Sequence, residues 1–137
     1  MTGGTYMVAR RIRTRIGAWD AAGDAAQERA IGREKRSGAV LDPRVEDSHM
    51  AAVRGGAKGD PRMLRRSYNF FDGADGELDA GLMLIAFMRD PRRQFVPVQQ
   101  RLAERDPLNA YSVATGSAVF AVPPGWAPGG RLAEGLL

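Results

Sequence analysis

The 137-residue chain contains no cysteine, which excludes disulfide staples, thiolate nucleophiles and zinc or iron–sulfur sites built on sulfur. Histidine occurs once, at position 49, so a site needing two imidazoles is excluded as well. No ordered Ser/His/Asp set and no glycine-rich phosphate loop is present. No apolar run approaches the roughly 20 residues of a membrane-spanning helix, and a soluble domain is expected. Arg10-Arg11 is not a twin-arginine export signal, because Ile12-Arg13-Thr14-Arg15 interrupts any apolar region behind it. The compartment stays open.

Hydrophobic residues make up 44% of the chain and charged ones 26%, which suits a single domain over 1–137 with a modest core. The net charge of +4 comes from scattered arginines. Without a basic stripe interleaved with aromatics, nucleic acid is not an expected partner. An acidic partner or a carboxylate-bearing ligand fits the charge better.

Residues 5–16 alternate as a strand does, with Tyr6, Val8, Ile12 and Ile16 on one parity and Met7 and Ala9 on the other. Arg10 falls on the apolar parity. An edge position where it snorkels is the favoured reading, and a buried partner is the other. Asp24 is expected to cap a following helix, with Gln27 three residues on and Gly32 as its stop. Residues 37–62 have little periodicity and predict a long loop carrying His49, of a length that in compact domains is usually functional or disordered.

A second strand is expected over Leu64–Phe71, then a turn at Asp72-Gly73-Ala74-Asp75-Gly76. Leu78–Arg89 is apolar on both parities, as in a central strand covered on both faces. Asp90-Pro91 starts a helix whose stripe is Phe95, Val98 and Leu102, with Val96 beside it. Asp106-Pro107 repeats the start signal for a short helix through Tyr111. Ala118–Val122 is the last expected strand, stopped by Pro123-Pro124, and 124–137 reads as a loosely held tail. This order predicts an α+β, ferredoxin-like βαββαβ domain, a four-stranded antiparallel sheet with helices packed on one face.

Several of these segments strongly resemble the dye-decolourising (DyP-type) haem peroxidases. They are Gly3-Gly4-Thr5-Tyr6 through Arg13, Ala26–Lys35, Met63-Leu64-Arg65-Arg66-Ser67-Tyr68-Asn69-Phe70, Leu78-Asp79-Ala80-Gly81-Leu82 and Arg89-Asp90-Pro91-Arg92. Phe95–Gln99, Leu108–Tyr111 and Thr115–Gly125 continue the likeness. The resemblance covers nearly the whole chain but only the carboxyl-terminal half of a family member. It implies a ferredoxin-like domain, one haem b, hydrogen peroxide and an organic reductant as partners, and either a complementing amino-terminal half or a homo-oligomer.

Residue by residue, the resemblance makes His49 the proximal ligand of the haem iron. An axial imidazole needs a fixed tautomer, and Asn109 stands about where relatives offer the acceptor for the second ring nitrogen. Arg65 corresponds to the distal arginine, a catalytic and haem-binding role suited to a permanently charged guanidinium. Strand alternation lets only one of Arg65 and Arg66 face the haem. Leu82 and Leu84 are candidates for its apolar wall. Each residue also has a plainer reading. His49 could be a solvated loop histidine, Asn109 a helix cap, Arg65 a strand arginine paired with Asp79, and Leu82, Leu84 and Phe120 ordinary packing.

The family's distal aspartate belongs to a Gly-x-x-Asp-Gly motif upstream of the Gly3-Gly4-Thr5-Tyr6 strand. Asp72-Gly73-Ala74-Asp75-Gly76 spells a similar string, but in a turn. Ala51 stands where relatives have an arginine two positions after the histidine. The resemblance therefore implies weak activity for these residues alone. The alternative is a non-catalytic ferredoxin-like interaction domain, or a remnant without cofactor.

Overall fold

The computed structural model describes residues 3–41, 45–54, 62–126 and 128–133. Four strands, β1 (Thr5–Thr14), β2 (Leu64–Asp75), β3 (Glu77–Met88) and β4 (Ser112–Val122), form one antiparallel sheet in the order β2-β3-β1-β4. The described helices are α1 (Ile16–Ala21), α2 (Gly23–Ile31), α3 (His49–Arg54), α4 (Pro91–Gln94) and α5 (Val96–Arg105), followed by a 3₁₀ turn at Pro107–Ala110. The domain is α+β with the ferredoxin-like order of elements.

Register decides which side chains share a face. Val8 of β1 lies opposite Ala86 of β3 and Val119 of β4, and Arg65 of β2 lies opposite Ala86. Residues directly opposite in antiparallel strands project to the same side. Val8, Ala86 and Met88 are buried and are packed by Phe95, which joins α4 to α5, so this side of the sheet faces the helices. Val98 of α5 is buried as well. Burying the Val8, Met88 and Val98 side chains stabilises by roughly 1.5–3 kcal/mol each.

The described helices start where local chemistry starts them. Asp90 accepts from the backbone of Arg92 at 2.9 Å with Pro91 in the first turn, and Asp106 accepts from Leu108 at 2.9 Å with Pro107 behind it. Gly32 ends α2 in the left-handed region at φ 89°. Asp24 departs from expectation. It sits inside the first turn of α2, where no side chain caps the helix, and pairs with Lys35 at 2.7 Å. Arg10 departs too. β1 is an interior strand, and the half-buried guanidinium donates to Gln99 on α5.

β2 and β4 run longer than their apolar patterns, whereas β1 stops at Thr14, short of the expected 16, because Ile16 opens α1. β2 continues through the expected turn to Asp75, with a bulge between Phe71 and Ala74. β4 begins at Ser112, paired with Thr14, although 112–117 carries no apolar alternation. Pairing with β1 extends the strand where side-chain pattern does not. Residues 37–62 are not irregular throughout, since α3 lies within them.

β1 and β3 approach closely at Gly81, where a Cβ would come within 2.1 Å of the Ile12 carbonyl oxygen. Gly81→Ala should destabilise the domain by about 1–3 kcal/mol, the range for overpacking a tight contact. Urea unfolding followed by far-UV circular dichroism measures this, and an unchanged midpoint would refute the close approach.

Candidate active site between helix α3 and the sheet

Helix α3 is six residues long and opens on His49. So short a helix is marginal alone, and its ends must be held by neighbours. Ser48 is buried before it. Its Oγ accepts from the Ala51 backbone at 3.2 Å while the hydroxyl donates to the Val45 carbonyl at 3.1 Å. The backbone of Gly32 lies against Ser48, and a Cβ there would sit 2.7 Å from the Ser48 Oγ.

Nδ1 of His49 lies 2.6 Å from Oδ2 of Asp106, at the end of α5. The other carboxylate oxygen accepts the Leu108 backbone N–H at 2.9 Å. One carboxylate therefore caps the 3₁₀ turn and holds the ring. The Asp106 side chain is only 7% exposed, so the contact is largely shielded from water, whereas His49 is 32% exposed and keeps one side accessible. An ionised carboxylate only accepts, so in the neutral ring the proton sits on Nδ1 and the lone pair on Nε2.

Asn109 is not the acceptor for this ring. Its Nδ2 donates to the carbonyls of Leu102 at 2.8 Å and Ala103 at 3.2 Å, fastening the end of α5 from which Asp106 projects. The sequence carried a signal for Asp106, since a capping carboxylate uses one oxygen and has a second to offer.

On the sheet, register puts Arg65 on the helix-facing side and Arg66 on the other, where it lies opposite Ile85. Arg65 is exposed and its side chain has no hydrogen-bond or ion-pair partner among the described residues. Asp79 pairs instead with Arg11. Leu82 and Leu84 are half-buried on the helix-facing side, in rows with Asn69 and Ser67 of β2. The helices cover Val8, Ala86 and Met88 and leave Arg65, Ser67 and Asn69 exposed on that same side. Arg65, Leu82 and Leu84 thus lie together on the helix-facing side of the sheet, and His49 opens a helix that packs on α5. Phe120 lies opposite Met7 on the far side.

That far side carries a charged cluster absent from the sequence reading. Arg11 reaches Asp72 at 2.7 Å, Asp79 at 2.8 Å and the Thr115 hydroxyl at 3.1 Å, with its guanidinium 4.0 Å from the Phe70 ring centre. Its pKa is raised, first by the hydrogen bond to Asp72 and then by that to Asp79. A separate open concavity of about 1000 Å³ is lined by Gly4, Tyr6, Arg89, Arg92 and Val119, among others, and by neither His49 nor Arg65. Among the described residues no helix is long and apolar enough to cross a membrane.

A family model described as Dyp-type peroxidase, C-terminal, matches residues 1–127. The chain belongs to the DyP-type peroxidase family. It is 39% identical to a dye-decolorizing peroxidase of Thermobifida fusca, covering 90% of this chain and 34% of that protein. It is 31% identical to a deferrochelatase of Escherichia coli, with the same two coverages. Among solved structures, a DyP-type peroxidase from Cellulomonas bogoriensis superposes with a TM-score of 0.89 at 36% identity, covering 97% of this chain and 42% of that one. Ferric DtpA from Streptomyces lividans gives 0.86 at 34% identity, with the same two coverages. The chain thus spans about a third of the length of the curated DyP-type relatives it matches.

The Asp106 contact makes a specific prediction about the single histidine. In Asp106→Asn the amide oxygen can keep the Leu108 N–H, which turns the amide NH₂ toward the ring. Nδ1 must then accept, and the proton moves to Nε2. Nitrogen-15 spectra should show the two ring nitrogens exchanging character. An unchanged tautomer would mean that Asp106 does not set it.

Proposed function

We propose that this chain is the haem-carrying half of a DyP-type peroxidase, in which His49 would hold a haem b iron as its proximal ligand and Arg65 would supply a cation toward bound peroxide. The observation that carries the reading is the 2.6 Å contact between His49 Nδ1 and Asp106. It leaves Nε2 as the coordinating nitrogen and makes it a stronger donor, as partners of metal-bound histidines do. The residues suit the group. No cluster of three or more metal-binding side chains exists among the described residues, so a single imidazole fits an iron already held by a macrocycle. Leu82 and Leu84 offer an apolar surface to such a ring, and Arg65 brings a cation that has no counter-ion among the described residues.

Bound haem would supply the redox centre at which hydrogen peroxide, taking two electrons from an organic reductant and two protons, is reduced to two waters. His49 holds and orients that centre. Asp106 keeps the imidazole in one tautomer and stabilises positive charge on it. Arg65 donates to peroxide oxygens and stabilises the negative charge that develops as the O–O bond breaks. It does not move the proton, because a guanidinium stays protonated. In the family that task belongs to the aspartate of the Gly-x-x-Asp-Gly motif. General acid–base help of this kind contributes about 10²–10⁴-fold.

The open side of the sheet supports a complementing half as partner. Leu64, Tyr68, Met83, Ile85, Phe87 and Phe120 share that side, and Tyr68 and Leu64 are 56% and 55% exposed. Exposed apolar side chains on this face, set beside Arg66 and the Arg11–Asp72–Asp79 cluster, suit an interface of mixed character. The amino-terminal domain of the family is the occupant we assign to it.

Hemin titration tests the reading. The chain should develop a Soret band that His49→Ala abolishes, and a protein indifferent to hemin would favour the cofactor-free interaction domain. With hemin alone, the 137-residue chain should turn over dye about 10²-fold or more below a two-domain relative, the share that general acid–base help contributes. Turnover at the relative's rate would contradict this, and equal turnover in His49→Ala would show free hemin at work. Sedimentation at rising concentration should show self-association through the open face, which Tyr68→Glu weakens. A clean monomer throughout would count against that interface.

A further inference from the structure

Helix α3 is gripped at both ends by one neighbour. At its start His49 meets Asp106. At its finish the Arg101 guanidinium, from the middle of α5, donates Nε to the Ala52 carbonyl at 3.2 Å and Nη2 to the Val53 carbonyl at 3.1 Å. The pairing makes α3 and α5 antiparallel, and the spans match. At about 1.5 Å per residue, positions 49 and 53 are about 6 Å apart and positions 101 and 106 about 7.5 Å. The last carbonyls of a helix have no partners within it and carry partial negative charge, and a half-buried cationic fork answers both needs.

From this two-ended grip we propose that Arg101 is a positioning residue for His49. By fixing the C-terminal carbonyls of α3 it sets the rotation and height of the helix, so that the imidazole at its first turn meets the Asp106 carboxylate in line. The Arg101 fork meets α3 at backbone carbonyls. Its effect reaches the ring along the helix, from Val53 back to His49. The inference concerns the imidazole and its carboxylate, and deepens the haem-ligand reading without depending on bound haem.

The single histidine makes the test direct, because the imidazole signals of the 137-residue chain have one source. In cofactor-free protein, Arg101→Gln should speed solvent exchange of the Nδ1-bound proton about tenfold, the equivalent of one lost hydrogen bond. The ring nitrogens should also move toward a mixture of tautomers while amide protection in β1 and β3 is retained. Arg101→Lys keeps the charge but loses the fork and should fall between the two. If Arg101→Gln does not fold, Arg101→Lys carries the same test on its own. Unchanged histidine signals in the folded variant would overturn the proposal. So would a uniform loss of protection across the sheet, which would make Arg101 a general stabiliser. If the histidine responds but hemin does not bind wild type, the positioning stands and the haem reading falls.

Discussion

The Asp106 carboxylate is the point on which the site depends. It is asked to satisfy a backbone N–H and an imidazole at once, one oxygen for each, in a place where water contributes little. Because the backbone bond fixes the carboxylate plane, the direction of the second oxygen is fixed as well. The ring inherits its orientation from a turn. Asn109 then fastens the end of α5 behind it, so residues that never approach the ring still determine where it points.

The sheet contributes the other wall through parity alone. β3 is apolar on both sides, and its even positions, Leu82 and Leu84, join Arg65 on the helix-facing surface, while its odd positions, Met83, Ile85 and Phe87, join Tyr68 and Phe120 on the open one. One strand thus lines two different environments. A one-residue slip of β2 against β3 would exchange Arg65 for Arg66 on the helix-facing side and bring Leu64 and Tyr68 there in place of Ser67 and Asn69. The bulge between Phe71 and Ala74 works against such a slip.

Much of this was legible in the sequence. Alternation over 5–16 and the double-sided apolar run of 82–87 located β1 and β3, because burial imposes a pattern, although only β3 was expected to be central. Asp90-Pro91 and Asp106-Pro107 located helix starts, because capping needs particular atoms at particular offsets. The beginning of β4 was silent, since Ser112–Ser117 is a strand through its backbone pairing with β1. α1 and α3 were silent too, each only six residues long and stabilised from outside. At the site, His49 and Arg65 stood out by residue type and family likeness. The pairing of His49 with Asp106 joins positions far apart in the chain, and no local pattern records it.

The contact between Gly32 and Ser48 closes the intervening segment at its base. Leu41 bonds back to the Gly32 carbonyl at 3.1 Å, and Arg33 and Val40 form an isolated bridge just beyond it. A segment pinned at both feet is decoupled from what it carries. Each doubling of its length would cost only about 0.6 kcal/mol of closure entropy. Insertions and deletions between Arg33 and Val40 can therefore be accommodated without displacing the histidine that follows. The segment is free to diversify what it presents while the ring beyond it keeps its place.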